Sequence, residues 1–161
     1  ICEQNPKLQG QLELRHQPDP TCILRGVISA SDRFAFTMCN PPFHSSLEEA
    51  AEGTMRKTRS LQGGKQENPM LNFSGIKKEL IYEGGEMRFI QTLIRESQNY
   101  SESVLWFTTL VSKQSHLKGL HGTLKTVRPV EVKTIAMGTG NKSTRILAWT
   151  FVPKEKRVQW R

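Results

Sequence analysis

Phe34-Ala35-Phe36-Thr37-Met38-Cys39-Asn40-Pro41-Pro42-Phe43 is the stretch on which the fold turns. Residues 34–39 form a continuous apolar run, the pattern of a strand covered on both faces in a parallel sheet. The run stops at Asn40, where two prolines withdraw two N–H donors and stiffen the backbone. Ligands of open α/β sheets bind beyond the carboxyl ends of the strands, so this tetrapeptide stands where a site belongs. In such a rigid turn the Pro41 carbonyl and the Asn40 side-chain carbonyl can converge on one point. An exocyclic amine has two hydrogens to offer that pair, and Phe43 presents a flat apolar face for a base to stack on. An adenine inside a helix has to leave its stack to reach such a pocket. The plain alternative is that Pro-Pro merely ends a strand and Phe43 packs inside. The place of the motif, after a buried strand in a basic chain, favours the functional reading.

Working outward, residues 11–15 alternate polar and apolar side chains (Leu12, Leu14), which predicts a short strand. Residues 17–21 hold two prolines and an Asp and read as a loop; residues 21–28 are apolar again and end in a polar turn. Beyond the motif, residues 44–59 begin as a helix, with Ser45 or Ser46 as cap and Glu48 and Glu49 in the first turn. Apolar periodicity then fails over residues 54–78, a length typical of a lid. A clear helix opens at Glu83-Gly84-Gly85-Glu86, with Met87, Phe89, Ile90, Leu93 and Ile94 at helical spacing. Residues 104–111 are a second buried strand. Ser115 caps a further helix carrying Leu117, Leu120 and Leu124 and ending near Pro129. Residues 130–136 and 145–152 form a hairpin around Gly138-Thr139-Gly140-Asn141. Alternating strands and helices followed by a hairpin predict an α/β fold with a mostly parallel sheet and one antiparallel strand at the end.

The 161 residues make one domain at most, and their net charge of +8 favours nucleic acid or another anionic partner. No run of about 18 apolar residues is present, so no membrane span is expected. Cys2, Cys22 and Cys39 form no Cys-x-x-Cys pair and suit free thiols in a reducing, cytoplasmic setting. No metal-ligand spacing occurs among His16, His44, His116 and His121, which read as surface histidines, with His44 a candidate lining of the pocket. No Ser or Cys has the context of a nucleophile.

Asn40-Pro41-Pro42-Phe43 resembles the Asn/Asp-Pro-Pro-Phe/Tyr signature of amino methyltransferases. Further blocks are Thr37 to His44 (Thr-Met-Cys-Asn-Pro-Pro-Phe-His), Arg-Lys-x-Arg at 56–59, Leu-Asn-Phe-x-Gly at 71–75 and Glu-x-x-x-Glu-Gly-Gly-Glu at 79–86. Trp-Phe-Thr-x-Leu-Val-Ser-Lys at 106–113 and Ala-Trp-Thr-Phe at 148–151 complete the set. Together they span nearly the whole chain and are similar to the ribosomal RNA large subunit methyltransferase F family. The resemblance implies N6 methylation of an adenosine in RNA, with 23S rRNA as the first choice; eukaryotic relatives act on small nuclear and messenger RNA. It implies a Rossmann-like class I sheet with a terminal antiparallel hairpin, and S-adenosylmethionine (SAM) as cofactor. Asn40, Pro41, Pro42 and Phe43 would orient and stack the adenine. Asp19, Thr21, Cys22, Leu24 and Asn40 would meet the cofactor. No general base would be required, because the amine can lose its proton after methyl transfer.

Only 39 residues precede Asn40, whereas each βαβ unit takes about 30. The first two strands and the glycine-rich SAM loop are therefore expected outside residues 1–161, which would be a partial catalytic domain. Arg56, Lys57 and Arg59, beside the motif, suggest a phosphate clamp, and Lys142 and Arg145 are further candidates to touch RNA. Gly138-x-Gly140-x-Lys142-Ser143 lacks the spacing of a phosphate loop and reads as a hairpin turn. A protein-glutamine or DNA-adenine methyltransferase is the nearest enzymatic rival. Phe43 and the basic run speak against the glutamine modifiers. A non-catalytic RNA-binding module is the rival from another class.

Overall fold

A computed structural model of the chain describes residues 5–8, 10–46, 81–139 and 142–160. Its elements are β1 (Phe34–Phe36), α1 (Gly85–Ser97), β2 (Val104–Val111), α2 (His116–Val127), β3 (Glu131–Thr139) and β4 (Lys142–Thr150). Short 3-10 turns cover Pro6–Leu8, Gln98–Tyr100 and Lys154–Trp160. The sheet order is β1-β2-β4-β3. β1 runs parallel to β2, while β4 is antiparallel to both β2 and β3. The α/β fold is as expected, but the described sheet is mixed and not mostly parallel: one of its three pairings is parallel, and the antiparallel strand β4 lies between β2 and β3.

The core lies on one face of the sheet, beneath α1 and α2. Ile90, Leu93 and Ile94 recur on one stripe of α1, as a 3.6-residue repeat requires, and all are buried. Leu120, Leu124 and Val127 do the same for α2. Both helices cover Phe107 and Val111 of β2 and Leu147 and Trp149 of β4. Phe107 and Trp149 are cross-strand partners whose rings stack 5.7 Å apart. The Trp149 indole N–H donates to Ser97 Oγ at 2.9 Å, so the largest core side chain leaves no buried donor unmet. Gly119 lets α2 approach α1: a Cβ there would come within 2.3 Å of the Met87 methyl group. On the opposite sheet face Trp106 stands with Lys133 Nζ and the Arg157 guanidinium each 5.0 Å from its ring.

Several expectations need correction. Residues 11–15 form no strand; Leu12 and Leu14 are exposed, and Arg15 is tied to Glu13, Asp32 and the Val27 carbonyl. The strand before the motif is only three residues long and is not buried on both faces. Phe36 is 61% exposed and Met38 89%. The reason is physical: among the described residues β1 has one paired edge, on β2, and while the Arg15 guanidinium lies 5.7 Å from the Phe34 ring centroid, Phe36 and Met38 stay open. Residues 21–28 form turns, closed by Val27 and Ile28 N–H groups donating to the Leu24 carbonyl. Residues 44–46 form a bridge and a bend, not the start of a helix; the rest of that predicted helix, the lid and the basic run lie outside the described residues. Ser115 precedes α2 but makes no side-chain cap bond. Both hairpin strands are longer at the tip than expected, pairing as far as Thr139 and Lys142.

Candidate active site

The motif leaves β1 at the carboxyl end of the parallel pair, where the topology predicts a site. Thr37 N–H donates to the Trp106 carbonyl at 2.9 Å, and the Thr37 and Thr108 side chains exchange hydrogen bonds with each other's backbone. Leu110 N–H then donates to the Cys39 carbonyl at 2.9 Å, so β2 holds the chain up to the residue before Asn40. Asn40 is exposed and Pro41 buried, with Pro42 and Phe43 half-buried. Burial raises the pKa of the Cys39 thiol, against a weaker opposing hydrogen bond from Thr109. Burial thus makes the Cys39 thiol a poorer source of thiolate than a free cysteine.

After the motif, His44 bridges to Ile81 in parallel, and Tyr82 N–H donates to the His44 carbonyl at 3.1 Å. Gly85 N–H donates to the Tyr82 carbonyl at 2.7 Å. Gly84 and Gly85 both have positive φ, 83° and 63°, which explains the glycine pair as the turn that delivers α1 beside the motif. A Cβ on Gly85 would lie 3.5 Å from the Ser45 backbone nitrogen, so the helix start touches the segment leaving Phe43. Glu86 follows, 2% exposed. Its carboxylate accepts from Ser112 N–H at 2.7 Å and from His116 Nδ1 at 2.6 Å. His116 is thus a half-buried partner of an acid and not a surface histidine.

The proposed cofactor segment is placed elsewhere. Cys22 and Leu24 are buried, and three consecutive N–H groups, of Ile23, Leu24 and Arg25, donate to the Glu96 carboxylate at 2.6–3.2 Å. Glu96 lies near the far end of α1 from Gly85, about 16 Å along the axis at roughly 1.5 Å per residue. The Asp19 carboxylate accepts from the Thr21 hydroxyl and amide, and Cys22 Sγ and Arg25 also lie against it. These bonds, led by the Thr21 hydroxyl, hold its pKa down to about 2. The structure thus brings Asn40, Pro41, Pro42 and Phe43 together with the start of α1, and Cys22 and Leu24 with its end. Asn40 is exposed at the strand end, whereas the amides and the acid of residues 19–25 are already engaged within the chain.

Arg145 lies on β4 opposite Val111, at the same end of the sheet as Asn40, and donates to Gln114 Oε1 at 2.9 Å. Lys142 pairs with Thr139 beyond it, its side chain outside the described part. Arg56, Lys57 and Arg59 are likewise outside the described residues. A cavity of about 930 Å³ opens at the opposite end, lined by Arg33, Glu102, Arg128 and Trp160, away from the motif. No group of three metal-binding side chains gathers among the described residues, and no described helix is long and apolar enough to cross a membrane.

Comparison with known proteins gives this geometry a family. A family described as RNA methyltransferase matches residues 1–153. This chain belongs to that family. A protein of Shewanella sp. (strain ANA-3) named Ribosomal RNA large subunit methyltransferase F is 52% identical over 166 aligned residues; the match takes in all of this chain and 46% of that protein. The protein of that name from Shewanella baltica (strain OS185) is 50% identical, with 45% of its length matched. The chain therefore spans about half the length of these relatives. Among solved structures, the hMettl16 catalytic domain in complex with a MAT2A 3′UTR hairpin superposes with a TM-score of 0.71 at 25% identity, covering 95% of this chain and 50% of that one. The N-terminal domain of human METTL16 in complex with SAH shares the fold at 20% identity, with a TM-score of 0.50.

Glu86, Glu96 and His116 were not legible as site residues. Glu86 does carry a signal in the sequence beyond the helix start and the matching block: it lies four residues before Ile90, on the stripe that turns inward. An acid on an apolar stripe needs buried partners.

Proposed function

We propose that the full-length enzyme methylates the N6 amine of an adenosine in RNA, with 23S ribosomal RNA as substrate. The observation that carries this reading is the Asn40–Phe43 turn at the carboxyl end of β1, with Asn40 exposed over a buried Pro41. Membership of an RNA methyltransferase family and 52% identity to a protein named for ribosomal RNA support it. In this reading SAM supplies the methyl group. The Asn40 side-chain carbonyl and the Pro41 carbonyl accept the two hydrogens of the adenine amine, leaving its lone pair free. Phe43 stacks on the flipped base. Transfer would break the S–CH3 bond of the sulfonium and release the neutral thioether, and the methylated nitrogen, positively charged, would then lose one proton to water. The enzyme's contribution is positioning and exclusion of solvent.

Arg145 and the tip of the β3–β4 hairpin, at the same end as the motif, provide a contact for RNA phosphates, joined by Arg56, Lys57 and Arg59. The test is to map N6-methyladenosine in ribosomal RNA with and without the gene. One adenosine in 23S rRNA should lose its methyl group. An unchanged ribosomal map, with methylation lost from a hairpin in another RNA, would move the substrate to the class bound by the human relative.

A further inference from the structure

The motif is held on two sides by different elements. Before it, the Cys39 carbonyl is fixed by Leu110 N–H on β2. After it, the His44 carbonyl is fixed by Tyr82 N–H on the lead-in to α1. These two holders have to keep a constant separation if the turn between them is to hold a base. Beyond the shared apolar core, Glu86 adds a polar tie between them at the end nearest the motif. It stands on the first turn of α1, four residues from Tyr82, and accepts from Ser112 N–H, two residues past Leu110. Its second oxygen holds His116 Nδ1 at the start of α2.

We propose that Glu86 is a positioning residue for methyl transfer, closing a frame around Asn40–Phe43, and that His116 is the partner that keeps its carboxylate in place. The proposal rests on the methyltransferase reading of the motif and adds to it a residue that touches neither base nor cofactor. The Glu86 side chain is 1% exposed, and a carboxylate so deeply buried is tolerable only with its acceptor sites filled. Ser112 N–H and His116 Nδ1 supply one donor to each of its oxygens. A carboxylate accepts, so the imidazole donates from Nδ1. Without His116 the carboxylate would turn toward solvent and release Ser112, loosening the local tie between the end of β2 and the first turn of α1 while the shared core holds the rest. A shift of about 1 Å at a reacting centre is enough to cost about 100-fold in rate.

Glu86 itself is too buried for a clean test, so the test uses the half-buried His116. In the full-length enzyme, His116→Ala should lower the single-turnover methylation rate about 100-fold while RNA and SAM dissociation constants stay within about threefold. His116→Asn, which returns an N–H donor near the Nδ1 position, should recover most of that loss. A His116→Ala rate near wild type would overturn the proposal, as would a rate loss matched by lost RNA affinity, or no recovery with Asn. A second readout needs no substrate: amide exchange at Leu110 and Tyr82 should quicken in His116→Ala, and unchanged exchange would overturn the frame. Failure of the functional reading looks different, as absent adenine methylation by the wild-type enzyme with the exchange result intact.

Discussion

Residues 81–152 and residues 5–46 are held by different kinds of contact. The first region is a layer of two helices on three strands, with a shared core in which Phe107, Leu120, Leu147 and Trp149 are fully buried. The second contributes one three-residue strand, and only Cys22, Leu24 and Pro41 of its described apolar side chains are buried. It is fastened by polar contacts: Glu96 to three amides, Thr37 to Thr108, and Arg15 to Asp32. The candidate active site lies on the seam, with Asn40–Phe43 from the loosely packed region and Glu86 from the rigid one. Apolar burial fixes a frame cooperatively, whereas a few directional bonds fix one segment at a time. A site built across the two takes its rigidity from one side and its reactive groups from the other.

The comparison can be broken by cutting equivalent aromatics. Phe107→Ala should destabilise the chain by about 3–5 kcal/mol, as truncation of a fully buried ring does. Phe36→Ala, at a residue 61% exposed, should cost less than about 1 kcal/mol. Denaturant midpoints give both values, and equal costs would mean that β1 is packed as firmly as β2. The next effect sharpens the division of labour. Asn40→Ala should lower methylation about 100- to 1000-fold in the full-length enzyme, as loss of a preorganised polar contact does, with little change in stability or RNA affinity. A near-normal single-turnover rate would remove Asn40 from the chemistry.

Glu96→Gln should weaken the charge-assisted bonds to the amides of residues 23–25, each such bond being worth about 1.5–3 kcal/mol at most. Amide exchange should quicken there and stay unchanged in β2 and β4. Exchange that quickens in both regions would show one cooperative unit where two are described. The smallest effect concerns the basic run. Neutralising Arg56, Lys57 and Arg59 should flatten the salt dependence of RNA binding by about 0.7 per lost contact on single strands, leaving SAM affinity alone. An unchanged slope would put the phosphate contacts elsewhere.

Much of the rigid region was legible because local pattern and burial agree there. The spacing of Met87, Ile90, Leu93 and Ile94 encodes the inward stripe of α1, and residues 104–111 form β2 with the predicted bounds. The hairpin, too, is local, since turn residues join two strands that pair with each other. The family was readable from residue order, because blocks from Thr37 to Phe151 stand together along nearly the whole chain, whereas two prolines after an apolar run could also simply end a strand.

Tertiary structure alone decided the rest. The exposure of Phe36 and Met38 depends on which elements flank β1, and no local pattern encodes a neighbour. That β4 inserts between β2 and β3 is a choice among pairings that all satisfy the same alternation. The roles of Glu86 with His116, thirty residues on, and of Glu96 with residues 23–25, more than seventy residues back, arise from contacts across the fold. Sequence shows that a carboxylate is present; only the folded chain shows which amides come near enough to hold it.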